Sequence, residues 1–132
     1  MIGFYMIRKL KTYSKYYGSD LNKFADLECR EKMTVMNIDL IIHRRSRKRI
    51  RIIESKHENE KIGTGQEELL RILGMLFKFL NKINFRSYKF DIFLVRGNPP
   101  YEEVLVKNLI NYNRKKIKKE DLINFLNFDL EM

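Results

Sequence analysis

Three residues in the first half of the chain have the types and spacing for metal-assisted chemistry: Asp39, Glu54 and Lys56. Carboxylates are hard oxygen donors suited to Mg²⁺ or Mn²⁺, and a neighbouring lysine is a cation that can orient a nucleophile or stabilise developing negative charge. These groups act together only if local structure brings them together. Asp39 lies in TVMNIDLIIH and the other two lie in RIRIIESKH, with the basic stretch RRSRK between. Both flanking runs are rich in β-branched residues and too short for a helix, which predicts antiparallel strands over 34–43 and 49–57 joined by a tight polar turn. Setting Arg45 opposite Lys48 across Ser46 and Arg47 fixes the register and places Asp39 opposite Glu54. Directly opposed residues have Cβ atoms about 4.5–5.5 Å apart, so two carboxylates meet on one face. The period of two puts Lys56 on the face of Glu54. A main-chain carbonyl near Ser55 supplies a third hard oxygen ligand.

The remaining elements must hold this hairpin. After the charged connection 57–61, GTGQ gives a glycine-flanked turn with Thr64 as a helix cap. The apolar positions Leu69, Leu70, Ile72, Leu73, Leu76, Phe77 and Leu80 predict a helix over 66–80 lying across the sheet. Gly74 in its middle marks close contact with a strand. Gln66 opens the helix just after Lys56, where its amide could reach the acidic cluster or a phosphate. YKFDIFLV, 88–95, reads as a central strand interrupted by Asp91, for which a salt bridge at the sheet margin is the simpler role. Pro99-Pro100 ends it, and 101–112 is read as a crossover helix with Val104, Leu105, Leu109 and Tyr112 inward. The basic segment 113–119 is an edge strand or a solvated turn, and a short last helix is built on Leu122, Phe125 and Leu126. Upstream, 1–17 reads as an amphipathic helix or strand. A second helix follows a Ser19 or Asp20 cap, carrying Asp26, Glu28 and Glu31 as candidate additional acids.

At 132 residues this is read as one domain, a size with which a homodimer is compatible. One cysteine excludes an internal disulfide, and two histidines leave no Cys/His zinc set. No run approaches about 18 apolar residues, so no membrane partner is expected and a cytoplasmic location is. Lysine and arginine outnumber aspartate and glutamate by 27 to 17, a net charge of +10, which favours an anionic partner and fits nucleic acid better than a small metabolite. The hairpin cluster Arg44, Arg45, Arg47, Lys48, Arg49 and Arg51, together with Arg114 to Lys119, would grip a phosphate backbone with little base information. A solubilising hairpin tip is the bland alternative.

NIDLIIHR, RIRIIESKH and GTGQEELL together resemble the core of the PD-(D/E)XK nuclease superfamily, in particular its small phage-type and archaeal-virus-type members. The match spans roughly residues 20–96. Asp39 takes the family's aspartate position, Glu54 and Lys56 its E-x-K pair, and Gln66 the glutamine that often begins the following helix. Ile38 stands where the name-giving proline would be. The resemblance implies a restriction-endonuclease-like mixed β-sheet with helices on both faces and Mg²⁺- or Mn²⁺-dependent hydrolysis of DNA. It implies metal ligation by Asp39, Glu54 and the Ser55 carbonyl, catalysis by Asp39, Glu54, Lys56 and Gln66, and the host-cell cytoplasm as the location of a viral member. Orientation and charge stabilisation suit Lys56 better than strong base catalysis, because two carboxylates oppose the depression of its pKa. Two other readings stay open: a nucleic-acid-binding module without catalysis, and a structural or interaction protein in which Lys56 neutralises both acids.

Overall fold

The structure, a computed structural model, describes residues 38–132. The segments expected to carry Asp26, Glu28 and Glu31, and the first strand before residue 38, lie outside the described residues. Two β-branched runs form the first hairpin. Strand β1 (Leu40–Arg44) pairs antiparallel with β2 (Arg49–Lys56), from Leu40 opposite Ile53 to Arg44 opposite Arg49. This is the register the turn argument requires. The turn is a short 3₁₀ segment, Arg45–Arg47, closed by Lys48 in the left-handed region (φ 51°), whose N–H donates to the Arg45 carbonyl at 3.1 Å.

The chain then runs through helix α1 (Thr64–Lys82) to β3 (Lys89–Arg96), parallel to β2. Strands β4 (Glu103–Asn108) and β5 (Arg114–Lys118) add on antiparallel, and helix α2 (Lys119–Leu126) follows at once. The sheet order is β1-β2-β3-β4-β5. It is a mixed, mostly antiparallel sheet flanked by two helices, and Leu40–Met132 form one unit. Among the described residues no helix is long and apolar enough to cross a membrane.

Strand β3 is almost continuously apolar because both of its faces are covered. Successive strand residues point to opposite faces, so Phe90 and Ile92 meet α1 while Phe93 and Val95 meet α2. On the α1 side, the Phe77 and Phe90 ring centroids lie 5.4 Å apart. A Cβ at Gly74 would fall 2.3 Å from the Leu109 carbonyl oxygen, a contact no side chain can make. The mid-helix glycine therefore sets how closely α1 approaches the turn that follows β4, where contact with a strand was expected. The Asn81 amide accepts from the Phe90 N–H and donates to the Phe90 carbonyl, both at 2.8 Å. It supplies main-chain partners where β4, which pairs only from Phe93 to Arg96, does not reach. On the α2 side, Phe125 sits edge-on to Phe93 at 4.7 Å within a core of Ile53, Val95, Val104, Val106 and Ile117.

Two expectations are corrected. Residues 101–112 hold β4 and a turn, not a crossover helix: Val104, Val106 and Asn108 are buried in alternation with half-buried Leu105 and Lys107, a period of two. The Asn108 side chain then accepts from the N–H groups of Ile110 and Asn111 and turns the chain. Thr64 does not cap α1. Gly63 is the cap residue and no side chain bonds to the exposed N–H groups there. The basic segment 114–118 is the edge strand of the two alternatives, and the last helix forms where expected.

Candidate functional site

Glu54 and Lys56 alternate with Ser55 along β2, so both face α1 and Ser55 points to the opposite side. Glu54 is buried, with 4% of its surface exposed. Lys56 is half-buried, and its Nζ donates to Gln66 Oε1 at 3.3 Å and to Glu60 Oε2 at 3.4 Å. Gln66 is the third residue of α1, so the crossover from β2 into the helix returns the chain to Lys56 ten residues later. Gln66, expected to reach the acidic cluster or a phosphate, accepts from Lys56. Asp39 is exposed and immediately precedes β1. Asp26 and Glu28 lie outside the described residues.

Glu60 was not anticipated. It accepts the His57 N–H at 3.0 Å through Oε1 while Oε2 takes Lys56, and it closes the 57–60 turn against the end of β2. The His57 main-chain N–H, reinforced by Lys56, holds its carboxyl below the usual carboxylate range. A lysine four residues before a glutamate was a legible signal, but in a loop that spacing carries little weight. An ammonium has three N–H donors. Glu60 and Gln66 occupy two and fix the direction of the third.

The basic hairpin corrects the expected phosphate-binding set. Arg51 has no exposed surface: it bonds Asp91 Oδ2 through Nη2 at 3.1 Å and the Phe125 carbonyl through Nη1 at 2.6 Å. Its guanidinium carbon lies within 4.5–5.1 Å of the ring centroids of Phe93, Phe125 and Phe128. Burial lowers its pKa against the pull of Asp91, and no phosphate can reach it. Arg49 is also held, by Asp91 at 2.7 Å and by Glu131 at 2.6 Å. Hydrogen bonding to Arg49 pulls the Glu131 carboxyl down to about 2. Arg44 donates to the Asn127 carbonyl, and Arg47 to the Phe128 carbonyl at 3.0 Å and to Asp129. The hairpin arginines therefore hold the C-terminal segment, and Asp91 is the buried counter-ion beneath them. Arg45 and Lys48 stay exposed at the tip.

A second set of cations gathers on the α1 face. Arg96 is the register partner of Lys56, Leu105 pairs with Lys116 and Lys107 pairs with Arg114. By alternation Arg96, Lys107, Arg114 and Lys116 share the face of Glu54 and Lys56. Arg114 and its neighbours stand out in the sequence as a basic run, whereas Arg96 and Lys107 are single cations that only the strand pairing brings to this face.

Among the described residues no group of three His, Cys, Asp or Glu side chains is placed to hold a metal ion. Comparison with protein-family models, with curated proteins and with solved structures gives no significant match.

Proposed function

We propose that the protein is a metal-dependent nuclease of the PD-(D/E)XK kind, hydrolysing phosphodiester bonds of DNA at Glu54 and Lys56. The observation that carries this reading is the meeting of Lys56 with Gln66 on the sheet face of the buried Glu54. A mixed sheet with helices flanking it supports the reading at the level of fold class. As the resemblance implies, Asp39, Glu54 and the Ser55 carbonyl would be the donors, hard oxygens of the kind a divalent cation takes. A bound Mg²⁺ or Mn²⁺ would polarise the phosphoryl oxygen and offset charge at the transition state. Lys56, steered by Gln66 and Glu60, would hold the attacking water or the phosphate through its remaining N–H. The cations of the α1 face would hold the strand.

The Lys56–Glu60 ion pair favours one second reading, a nucleic-acid-binding protein in which the lysine is structural. Cleavage of linear, circular, flapped and branched DNAs with Mg²⁺ or Mn²⁺ separates the two. The nuclease reading expects Glu54→Gln and Lys56→Ala each to lower turnover by about a hundredfold or more, the scale of a lost electrostatic contact at a reacting centre, with DNA affinity retained. Binding by the wild type without cleavage of any substrate would favour the second reading.

A further inference from the structure

We infer that the cleft beside Lys56 seats one nucleotide of the bound strand, with its phosphate on Arg96, Lys107 and Arg114 and its sugar and base on Ile62, Leu94 and Leu105. This deepens the nuclease reading by naming what binds next to the reacting phosphate. The cleft measures about 220 Å³ and is lined by those six residues. Its place in the sheet gives it meaning. Leu94 and Arg96 are the register partners of Glu54 and Lys56, and neighbouring strands are about 4.8 Å apart. The cleft therefore lies one strand from the candidate catalytic pair, on the same face.

The lining has the two chemistries a nucleotide needs, three cations and an apolar floor. Arg96 is held in place, since Nη1 donates to the carbonyls of His57 and Glu60. Its other donors and its charge remain for an oxyanion. Lys107 lies 5.5 Å from the centroid of Tyr112, whose ring borders the adjoining hollow formed by Leu70, Leu94 and Leu109 with Glu67 and Arg71. Glu58, Glu103 and Lys116 line the recess beyond Arg96. The volume lies below the roughly 300–1,000 Å³ typical of pockets that enclose whole cofactors or drug-sized ligands. A single nucleotide of a longer strand suits it, the rest of the strand lying on the basic face.

Binding is measured without metal, on the full chain carrying Lys56→Ala, so that the result does not depend on turnover. The probe is a fluorescent single-stranded 12-mer, and anisotropy is followed from 50 to 200 mM salt, with melting curves confirming that each variant folds. Lys107→Ala with Arg114→Ala should weaken affinity about tenfold and lower the salt slope by about 1.4, near 0.7 for each phosphate contact on a single strand. Lys82→Ala, at the far end of α1, should change neither. A single abasic residue moved along the probe should weaken binding most at one position, and Leu105→Trp, which fills the floor, should remove that position dependence. Unchanged affinity and slope in the double variant would overturn the proposal. So would equal affinity for every abasic probe, which leaves only diffuse charge attraction. A protein that meets these binding expectations but cleaves no DNA with metal refutes the nuclease reading while the nucleotide cleft stands. One that cleaves but binds unchanged in the double variant refutes the cleft alone.

Discussion

Replacing Arg51 by methionine should destabilise the fold without touching nucleic-acid binding. The guanidinium has 0% exposure and is shared by Asp91, the Phe125 carbonyl and three aromatic rings. Methionine keeps the stem and gains sulfur–aromatic contact, which offsets part of the lost packing. It leaves Asp91 buried with one fewer counter-ion and the Phe125 carbonyl without this donor. Removing one member of a buried pair costs about 3–5 kcal/mol. Arg49 still contacts Asp91 at 2.7 Å, so the lower end, about 3 kcal/mol, is the expected value. For a chain of this length that is a fall in Tm of about 10 °C. The assay is thermal and urea unfolding by circular dichroism, joined to DNA anisotropy at a temperature where the variant is folded. Wild-type stability with weaker DNA binding and a shallower salt slope would refute the assignment of Arg51 to the core.

Gly74→Ala should lower stability by about 1–2 kcal/mol in a melting curve, because the new methyl meets the fixed Leu109 carbonyl and overpacking costs more than the roughly 1 kcal/mol of helix propensity gained; a higher Tm would refute the close approach. Glu131→Gln should show a pH-dependent loss. The folded-state pKa of Glu131, about 2, lies below its ordinary 4.5, so its stabilising effect is complete above about pH 4.5 and disappears as pH falls toward 2. The carboxylate is 53% exposed, and solvent screening reduces the effect at neutral pH to about 1 kcal/mol. The gap between wild type and variant in urea unfolding should close between pH 4.5 and 2, and a constant gap would contradict the ion pairs of Glu131 with Arg49 at 2.6 Å, Arg51 at 3.6 Å and Lys89 at 3.5 Å.

The hairpin register was legible because turn length and the period of two leave one solution, and Leu40 does pair with Ile53. Gly74 was legible for a comparable reason: a glycine inside an otherwise strong apolar helix has a local cost that close packing accounts for. The segment 101–112 was misread because Val104, Leu105, Leu109 and Tyr112 match helical spacing while Val104, Val106 and Asn108 match strand spacing. In so short a run tertiary pairing with β3 and β5 decides between them. Arg51 was misread for a different reason. Its burial depends on Asp91, forty residues away, and on the rings of Phe93, Phe125 and Phe128, all distant from it in sequence. A short connection from β2 into α1 keeps Gln66 near the end of the strand, which made its place readable, though not its bond to Lys56. Glu60 was not, since a loop conformation brings it to Lys56.

The net charge of +10 conflates two populations that the strand period separates. On β2, Arg49 and Arg51 occupy the odd positions and face Asp91, Glu131 and the rings around α2, where the charge is matched and holds the C-terminal segment to the hairpin. The even positions, Glu54 and Lys56, face α1 together with Arg96, Lys107, Arg114 and Lys116. Matched, buried charge cannot exchange its partner for a phosphate without leaving a carboxylate unpaired in the interior. Cations on an open face can, because a phosphate replaces water and condensed counter-ions there. An anionic strand should therefore lie on the α1 face, the face that also carries the candidate catalytic pair. The dense arginine run of the hairpin, the strongest basic signal in the sequence, belongs mainly to the fold.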